Sequence, residues 1–108
     1  MAGAGDQTNI ALPMAEIEAF CRRWQIVEMA LFGSVLGRDF APDSDVDVLV
    51  RYAPGAMHTL REFLAMHDEL EHLLGRTVDI VNRESIERSP NYIRRRSILE
   101  AARTIYVA

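Results

Sequence analysis

The stretch that decides the fold is GSVLGRDFAPDSDVDVLVR, residues 33–51, because it places two carboxylates at the start of a strand of valines and leucine. Alternate side chains of a strand share one face, so Asp45 and Asp47 point one way while the valines between and after them point the other. Two like charges at this spacing lie roughly 7 Å apart and repel each other. The pattern therefore predicts a bound cation between the two aspartates.

The segments around this stretch supply further groups. The apolar run IVEMALFG, residues 26–33, predicts a strand that ends in glycine. Gly33 and Ser34 then open a brief helical turn, where free backbone N–H groups and the missing side chain let phosphates approach closely. The segment TVDIVN, residues 77–82, predicts another strand, which Asp79 interrupts with a third carboxylate. If the two acidic strands are neighbours, their carboxylates converge on one face and can hold two Mg²⁺ ions about 4 Å apart.

Helices alternate with strands along the rest of the chain, which predicts an α+β fold: a small mixed sheet flanked by helices. Pro13 can begin the first helix, and TLREFLAMHDELEHLL, residues 59–74, predicts an amphipathic helix with Thr59 as N-cap and Gly75 at its end. A later helix is predicted to begin near Asn91, and the C-terminal TIYVA is predicted to form the last strand. The apolar stripe of the 59–74 helix is predicted to comprise Leu60, Phe63, Leu64, His67, Leu70, Leu73 and Leu74.

Length and composition favour a single soluble domain. The chain has 108 residues, of which 49% are hydrophobic and 26% charged, and its apolar stretches are too short to cross a membrane. We expect a flexible N-terminal tail over residues 1–10, one domain over residues 11–108 and a cytoplasmic location. The net charge of −4 argues against direct binding of nucleic acid. The single cysteine, Cys21, is expected to be a buried thiol.

Other kinds of site are excluded by their patterns. Asp43, Asp45 and Asp47 match the opening of a calcium-binding EF-hand loop, but Val48 and Pro54 occupy the positions of its glycine and glutamate. Neither a Walker-type phosphate loop nor a dinucleotide-binding glycine motif is present in the sequence. The three histidines lack the spacing of zinc ligands, and no cysteine cluster accompanies them.

The string G-S-x10-D-x-D, formed by Gly33, Ser34, Asp45 and Asp47, resembles the signature of the polymerase-β-type nucleotidyltransferase superfamily. More narrowly, the chain resembles the minimal nucleotidyltransferase (MNT) antitoxins of HEPN/MNT toxin–antitoxin pairs, from about residue 14 to its end. The resemblance implies a polymerase-β-like nucleotidyltransferase core. It also implies that Asp45, Asp47 and Asp79 are catalytic and bind two Mg²⁺ ions, while Gly33 and Ser34 bind the nucleotide.

The reaction that the resemblance implies is transfer of AMP from ATP to a hydroxyl, with release of pyrophosphate. Because the core elements use nearly the whole chain, we expect another protein to supply the acceptor. In the resembled family this partner is a HEPN ribonuclease toxin, which is modified on a tyrosine and thereby silenced. Tyr92, Ile93 and the arginines after them are candidate contacts of that partner. Many relatives carry an arginine at the position of Gly37, whereas here it follows as Arg38, to which no role is assigned.

Alternatives remain open at this point. The protein could neutralise its partner by binding alone, or it could transfer a nucleotide to a small molecule as a homodimer, although no C-terminal substrate domain is evident. Asp79 could be an edge-strand charge that discourages aggregation. The arginines at positions 94–96 could form a solvated helix face.

Overall fold

A computed structural model of the protein describes residues 10–37 and 44–108. The predicted tail up to residue 9, together with Arg38 and Asp43, lies outside these ranges. The elements are, in chain order, α1 (Met14–Arg23), β1 (Ile26–Phe32), a 3₁₀ turn (Gly33–Leu36), β2 (Val46–Tyr52), α2 (Leu60–Leu74), β3 (Val78–Asn82), α3 (Arg83–Glu87), α4 (Tyr92–Ala101) and β4 (Arg103–Val107).

The described strands form one mixed sheet in the order β3-β2-β1-β4. Strand β1 pairs antiparallel with both β2 and β4, whereas β2 and β3 are parallel. Helix α2 connects the two parallel strands, because parallel neighbours need a crossover that is longer than a hairpin. The predicted α+β class, with a small mixed sheet flanked by helices, is confirmed.

The sheet is covered on both faces. The larger core packs α1 and α2 against one face, and it includes the buried side chains of Val46, Val48 and Val50 from β2. The smaller core lies on the other face, where Ala30 and Leu49 of the sheet and Ile86 of α3 are buried together and α4 packs against them. Residues two apart in a strand share a face, so Asp47 points to the same side as Leu49.

Helix α2 begins and ends as the sequence predicts. Thr59 and Glu62 form a capping box, in which the Thr59 hydroxyl accepts from the Glu62 N–H at 3.1 Å. Gly75 ends the helix in the left-handed conformation, with φ of 70°.

The apolar stripe predicted for α2 is only partly correct. Leu70 is buried, but Leu60 and Leu64 are 74% and 58% exposed, and Met66 is fully buried in their place. The predicted arc was too wide, because the helix meets the sheet along the line of Met66 and Leu70. Leu64 lies on the opposite side of the helix, at 100° of rotation per residue.

The C-terminal elements pack beside the acidic strands. The charged segment from Arg83 to Arg88 contains the five-residue helix α3. Helix α4 begins after Asn91, whose side chain accepts a hydrogen bond from the Arg94 N–H at 3.1 Å.

Within residues 10–37 and 44–108, no helix is both long enough and apolar enough to span a bilayer.

Candidate active site

Two of the predicted carboxylates face each other across neighbouring strands. In the parallel pair of β2 and β3, Asp47 is the register partner of Asp79, and Val46 is the partner of Val78. The valines point into the larger core, so both aspartates point to the opposite face. Adjacent strands lie about 4.8 Å apart. The side chains of Asp47 and Asp79 are therefore neighbours at the end of the sheet where β2 and β3 begin.

The third carboxylate, Asp45, lies just before the first residue of β2 and is exposed. Its Oδ1 accepts a short hydrogen bond from the hydroxyl of Thr77. The next residue, Val46, donates its backbone N–H to the Thr77 carbonyl at 2.9 Å. Asp45 is thus held beside the start of β3, two residues from Asp47 on the same face.

Gly33 brings the backbone against the Asp47 carboxylate. It directly follows β1, whose last residue, Phe32, is the register partner of Asp47. Gly33 has a φ of 77°, and a Cβ added there would lie 2.3 Å from Asp47 Oδ2. Both the conformation and the space exclude a side chain. Ser34 is exposed in the next position of the 3₁₀ turn.

The electrostatics of the site are those of crowded like charges. Burial, and then the negative charges of Asp79 and Asp45, raise the pKa of the Asp47 carboxyl above its usual value. A divalent cation would remove this repulsion, and carboxylate oxygens are the ligands that Mg²⁺ prefers. In the described part of the chain, no group of three acidic, histidine or cysteine side chains is already gathered as a metal site. The donor chemistry of Asp47 and its two acidic neighbours fits a hard cation.

A cleft opens beside Gly33, between the 3₁₀ turn and the corner of α4 and β4. Its volume is about 360 Å³. A ligand held at Gly33 therefore has room in this cleft, whose walls do not include the three aspartates. The walls of the cleft are Phe32, Gly33, Leu36, Gly37, Ser97, Ile98, Ala101 and Arg103.

The arginines of α4 are partly engaged within the protein. Arg96 pairs with Glu100 at 2.9 Å, and Arg95 donates to the Ser89 carbonyl at 2.9 Å. At the start of the same helix, Tyr92 and Ile93 are 56% and 78% exposed. The helix therefore presents an aromatic and an aliphatic side chain beside positive charge.

Thr77 is the residue of the site that the sequence analysis missed. A signal for it was present, because Thr77 and Asp79 are separated by one residue in the same way as Asp45 and Asp47. Alternation along adjacent strands could have paired the hydroxyl with Asp45. What the pattern lacked was the register of β2 against β3, which only the fold provides.

Comparison with known proteins identifies the family. Residues 16–105 match the family described as "Nucleotidyltransferase domain". The chain belongs to this family. Among curated relatives, the protein adenylyltransferase MntA of Thermococcus cleftensis is 35% identical over 65 residues, which are 60% of this chain and 64% of the relative. The chain thus spans just under two thirds of the length of that relative.

Solved structures share the fold. A structure described as a minimal nucleotidyltransferase is 32% identical, with a TM-score of 0.62 over 82% of this chain and 85% of that one. A toxin–antitoxin structure with AMP-PNP is 19% identical, with a TM-score of 0.65 over 90% of this chain and 75% of that one. The complex of a tri-AMPylated Shewanella oneidensis HEPN toxin with its MNT antitoxin is 18% identical, with a TM-score of 0.57 over 88% and 70%. At these last two identities the likeness concerns the fold alone.

Proposed function

We propose that this protein is a Mg²⁺-dependent adenylyltransferase that transfers AMP from ATP to a tyrosine hydroxyl of a HEPN-type ribonuclease toxin and thereby acts as its antitoxin. The observation that carries the proposal is the pairing of Asp47 with Asp79 across β2 and β3, with the Asp47 carboxylate against Gly33. Membership of the nucleotidyltransferase family supports the type of reaction. The similar MntA protein and the AMPylated HEPN complex support the acceptor and the partner.

Asp45, Asp47 and Asp79 would hold Mg²⁺, two ions by the family resemblance. When bound, such ions neutralise the charge that develops on the phosphates and on the leaving pyrophosphate. Gly33 and Ser34 would hold the triphosphate of ATP through backbone N–H groups and the serine hydroxyl. The AMP-PNP in the structurally similar toxin–antitoxin complex supports ATP as the nucleotide.

In the transfer, the tyrosine oxygen forms a bond to the α-phosphorus of ATP, and the bond from this phosphorus to the bridging oxygen of the β-phosphate breaks. Pyrophosphate leaves with that oxygen. Asp79 would orient the tyrosine hydroxyl and accept its proton. The chain's contribution is mainly to position the groups and to supply charge, so removal of one carboxylate should cost orders of magnitude in rate.

The partner would dock where its tyrosine can reach Asp79. Tyr92 and Ile93 are exposed at the start of α4, whose C-terminal half packs on the sheet face that carries the aspartates. We propose them as contacts of the toxin. Because the reaction consumes ATP, we place it in the cytoplasm.

A transfer assay tests the proposal directly. The protein is incubated with [α-³²P]ATP, Mg²⁺ and a purified HEPN-type ribonuclease toxin, and the label on the HEPN protein is measured. We expect label to move with the wild type and not with Asp47→Asn. Asp68→Asn removes an exposed carboxylate from α2 and should transfer label like the wild type.

The same experiment separates the remaining alternatives. If the HEPN ribonuclease is inhibited but receives no label, neutralisation proceeds by binding alone and the proposed transfer is wrong. If label moves to a small-molecule hydroxyl and never to protein, the acceptor class is wrong. Phosphoamino-acid analysis of the labelled toxin then reports whether tyrosine carries the AMP.

A further inference from the structure

We propose that Thr77 is a positioning residue whose hydroxyl holds the Asp45 carboxylate in the orientation that binds the divalent cation. This inference rests on the proposed function, because it assigns Asp45 to the cation. Thr77 itself contacts neither substrate nor cation in this proposal. It acts through Asp45 alone.

The two residues before β3 hold the residues at the start of β2 through three hydrogen bonds. The Thr77 hydroxyl donates to Asp45 Oδ1, and the Thr77 carbonyl accepts from the Val46 N–H at 2.9 Å. Next to them, Arg76 Nη2 donates to the Ser44 carbonyl at 3.3 Å. Three consecutive residues, 44–46, are therefore held by two consecutive residues, 76–77, so that both the backbone and the carboxylate of Asp45 are fixed.

The segment that carries Thr77 is itself anchored to α2. The N–H groups of Gly75 and Arg76 donate to the Glu71 carbonyl at 2.8 and 3.2 Å. Since β3 is an edge strand, the polar backbone groups of Val78 that point away from β2 need other partners. The Glu71 carboxylate accepts from the Val78 N–H at 3.0 Å, and a ring nitrogen of His67 lies 2.8 Å from the Val78 carbonyl. Thr77 therefore lies in a segment that is hydrogen-bonded to α2 on one side and to the start of β2 on the other.

The contact matters because the side chain of Asp45 is exposed, whereas that of Asp47 is half-buried. An exposed carboxylate rotates among several orientations, and the conformational entropy that it loses when it binds a cation weakens that binding. The hydrogen bond from Thr77 uses one lone pair of Oδ1 and leaves Oδ2 available. Groups that orient metal ligands in this way commonly change metal affinity or activity by about 10–100-fold when they are removed.

The experiment compares Thr77→Val, which replaces the hydroxyl with a methyl group, with Thr77→Ser, which keeps the hydroxyl. Mn²⁺ is titrated into the ¹⁵N-labelled protein, and the concentration that half-broadens the backbone amide signals of Asp45, Asp47 and Asp79 is measured by NMR. We expect this concentration to rise about 10-fold or more in Thr77→Val and to stay near the wild-type value in Thr77→Ser. The control Thr104→Val makes the same change on the exposed edge of β4 and should also resemble the wild type.

Each outcome bears on a different claim. If Thr77→Val binds Mn²⁺ as tightly as the wild type while the wild type transfers AMP, the role of Thr77 is wrong and the proposed function stands. If the wild type shows no broadening at these aspartates and no AMP transfer, the proposed function fails and this inference fails with it. Should Thr77→Val lose its folded spectrum, Thr77→Ala is compared with Thr77→Ser, since that pair also differs by the hydroxyl; equal Mn²⁺ affinities would overturn the proposal.

Discussion

The substitution Gly33→Ala tests whether the Asp47 carboxylate occupies the space beside the glycine–serine turn. Gly33 has a φ of 77°, a conformation that costs an L-residue about 1–2 kcal/mol. The added Cβ would also lie 2.3 Å from Asp47 Oδ2 and 3.3 Å from its Cγ. Overlap of this kind in a packed site typically costs about 1–3 kcal/mol. We therefore expect Gly33→Ala to lower the free energy of unfolding by about 2–5 kcal/mol.

Two other glycines separate the conformational cost from the overlap. Gly55 and Gly75 have φ values of 82° and 70°, and a Cβ at either would meet no atom within 4 Å. Alanine at these positions should cost only the conformational part, about 1–2 kcal/mol. Urea unfolding of the three single variants, followed by circular dichroism, measures the difference.

A double-mutant cycle with Asp47→Ala isolates the contact. In the Asp47→Ala background the carboxylate is absent, so Gly33→Ala should cost no more than Gly55→Ala. The excess cost, about 1–3 kcal/mol, should therefore disappear in that background. If Gly33→Ala shows the same excess with and without the Asp47 carboxylate, the close approach is not its cause and the reasoning is refuted. In the AMP-transfer assay, Gly33→Ala should be strongly impaired, because relief of the overlap requires Asp47 to move.

Further predictions concern the core and the ion pairs. Burial, and then the charge of Glu18, raise the pKa of Cys21 from 9.0 to about 12. The thiol should therefore react with Ellman's reagent at about pH 8 only after denaturation. Rapid reaction of the native protein would contradict the burial of Cys21. The hydrogen bond from Arg51 lowers the pKa of Glu87 below 4.5, so this pair stabilises the fold above that pH and the contribution is lost as the pH falls through the lowered value. Glu87→Gln should therefore be less stable than the wild type at pH 7, and urea titrations should show the difference closing in acid. Leu70→Ala should lower the free energy of unfolding by about 2–5 kcal/mol and Leu64→Ala by about 0.5 kcal/mol or less. The reason is that Leu70 is fully buried, whereas Leu64 is 58% exposed. Equal losses in the two variants would contradict the orientation of α2.

The sequence predicted most of the secondary structure because its local signals agree with the fold. The Thr59 cap and the Gly75 end of α2 follow from side-chain chemistry that needs no tertiary contact. The width of the buried stripe did need tertiary contact. Leu60 and Leu64 carry the same apolar signal as Leu70, and only the way α2 lies on the sheet separates them.

The candidate site likewise contains features that the sequence alone predicted and features that required the tertiary structure. Alternation along a single strand was enough to place Asp45 and Asp47 on one face, since the backbone alone sets that period. The position of Asp79 required β3 to lie beside β2, parallel and in the register that pairs it with Asp47. No local pattern contains that register, because it results from the crossover of α2 and from the packing of valines on the far face.

What the sequence determined by itself is the set of reactive groups: a glycine–serine turn, an Asp-x-Asp strand and a third acidic strand, each readable within a few residues. What only the tertiary structure decided is their assembly. The approach of Asp47 Oδ2 to Gly33 and the hydrogen bond from Thr77 to Asp45 both join segments that are distant in sequence. Such contacts depend on strand order and register, and these are set by burial of apolar side chains throughout the domain rather than by the residues that meet.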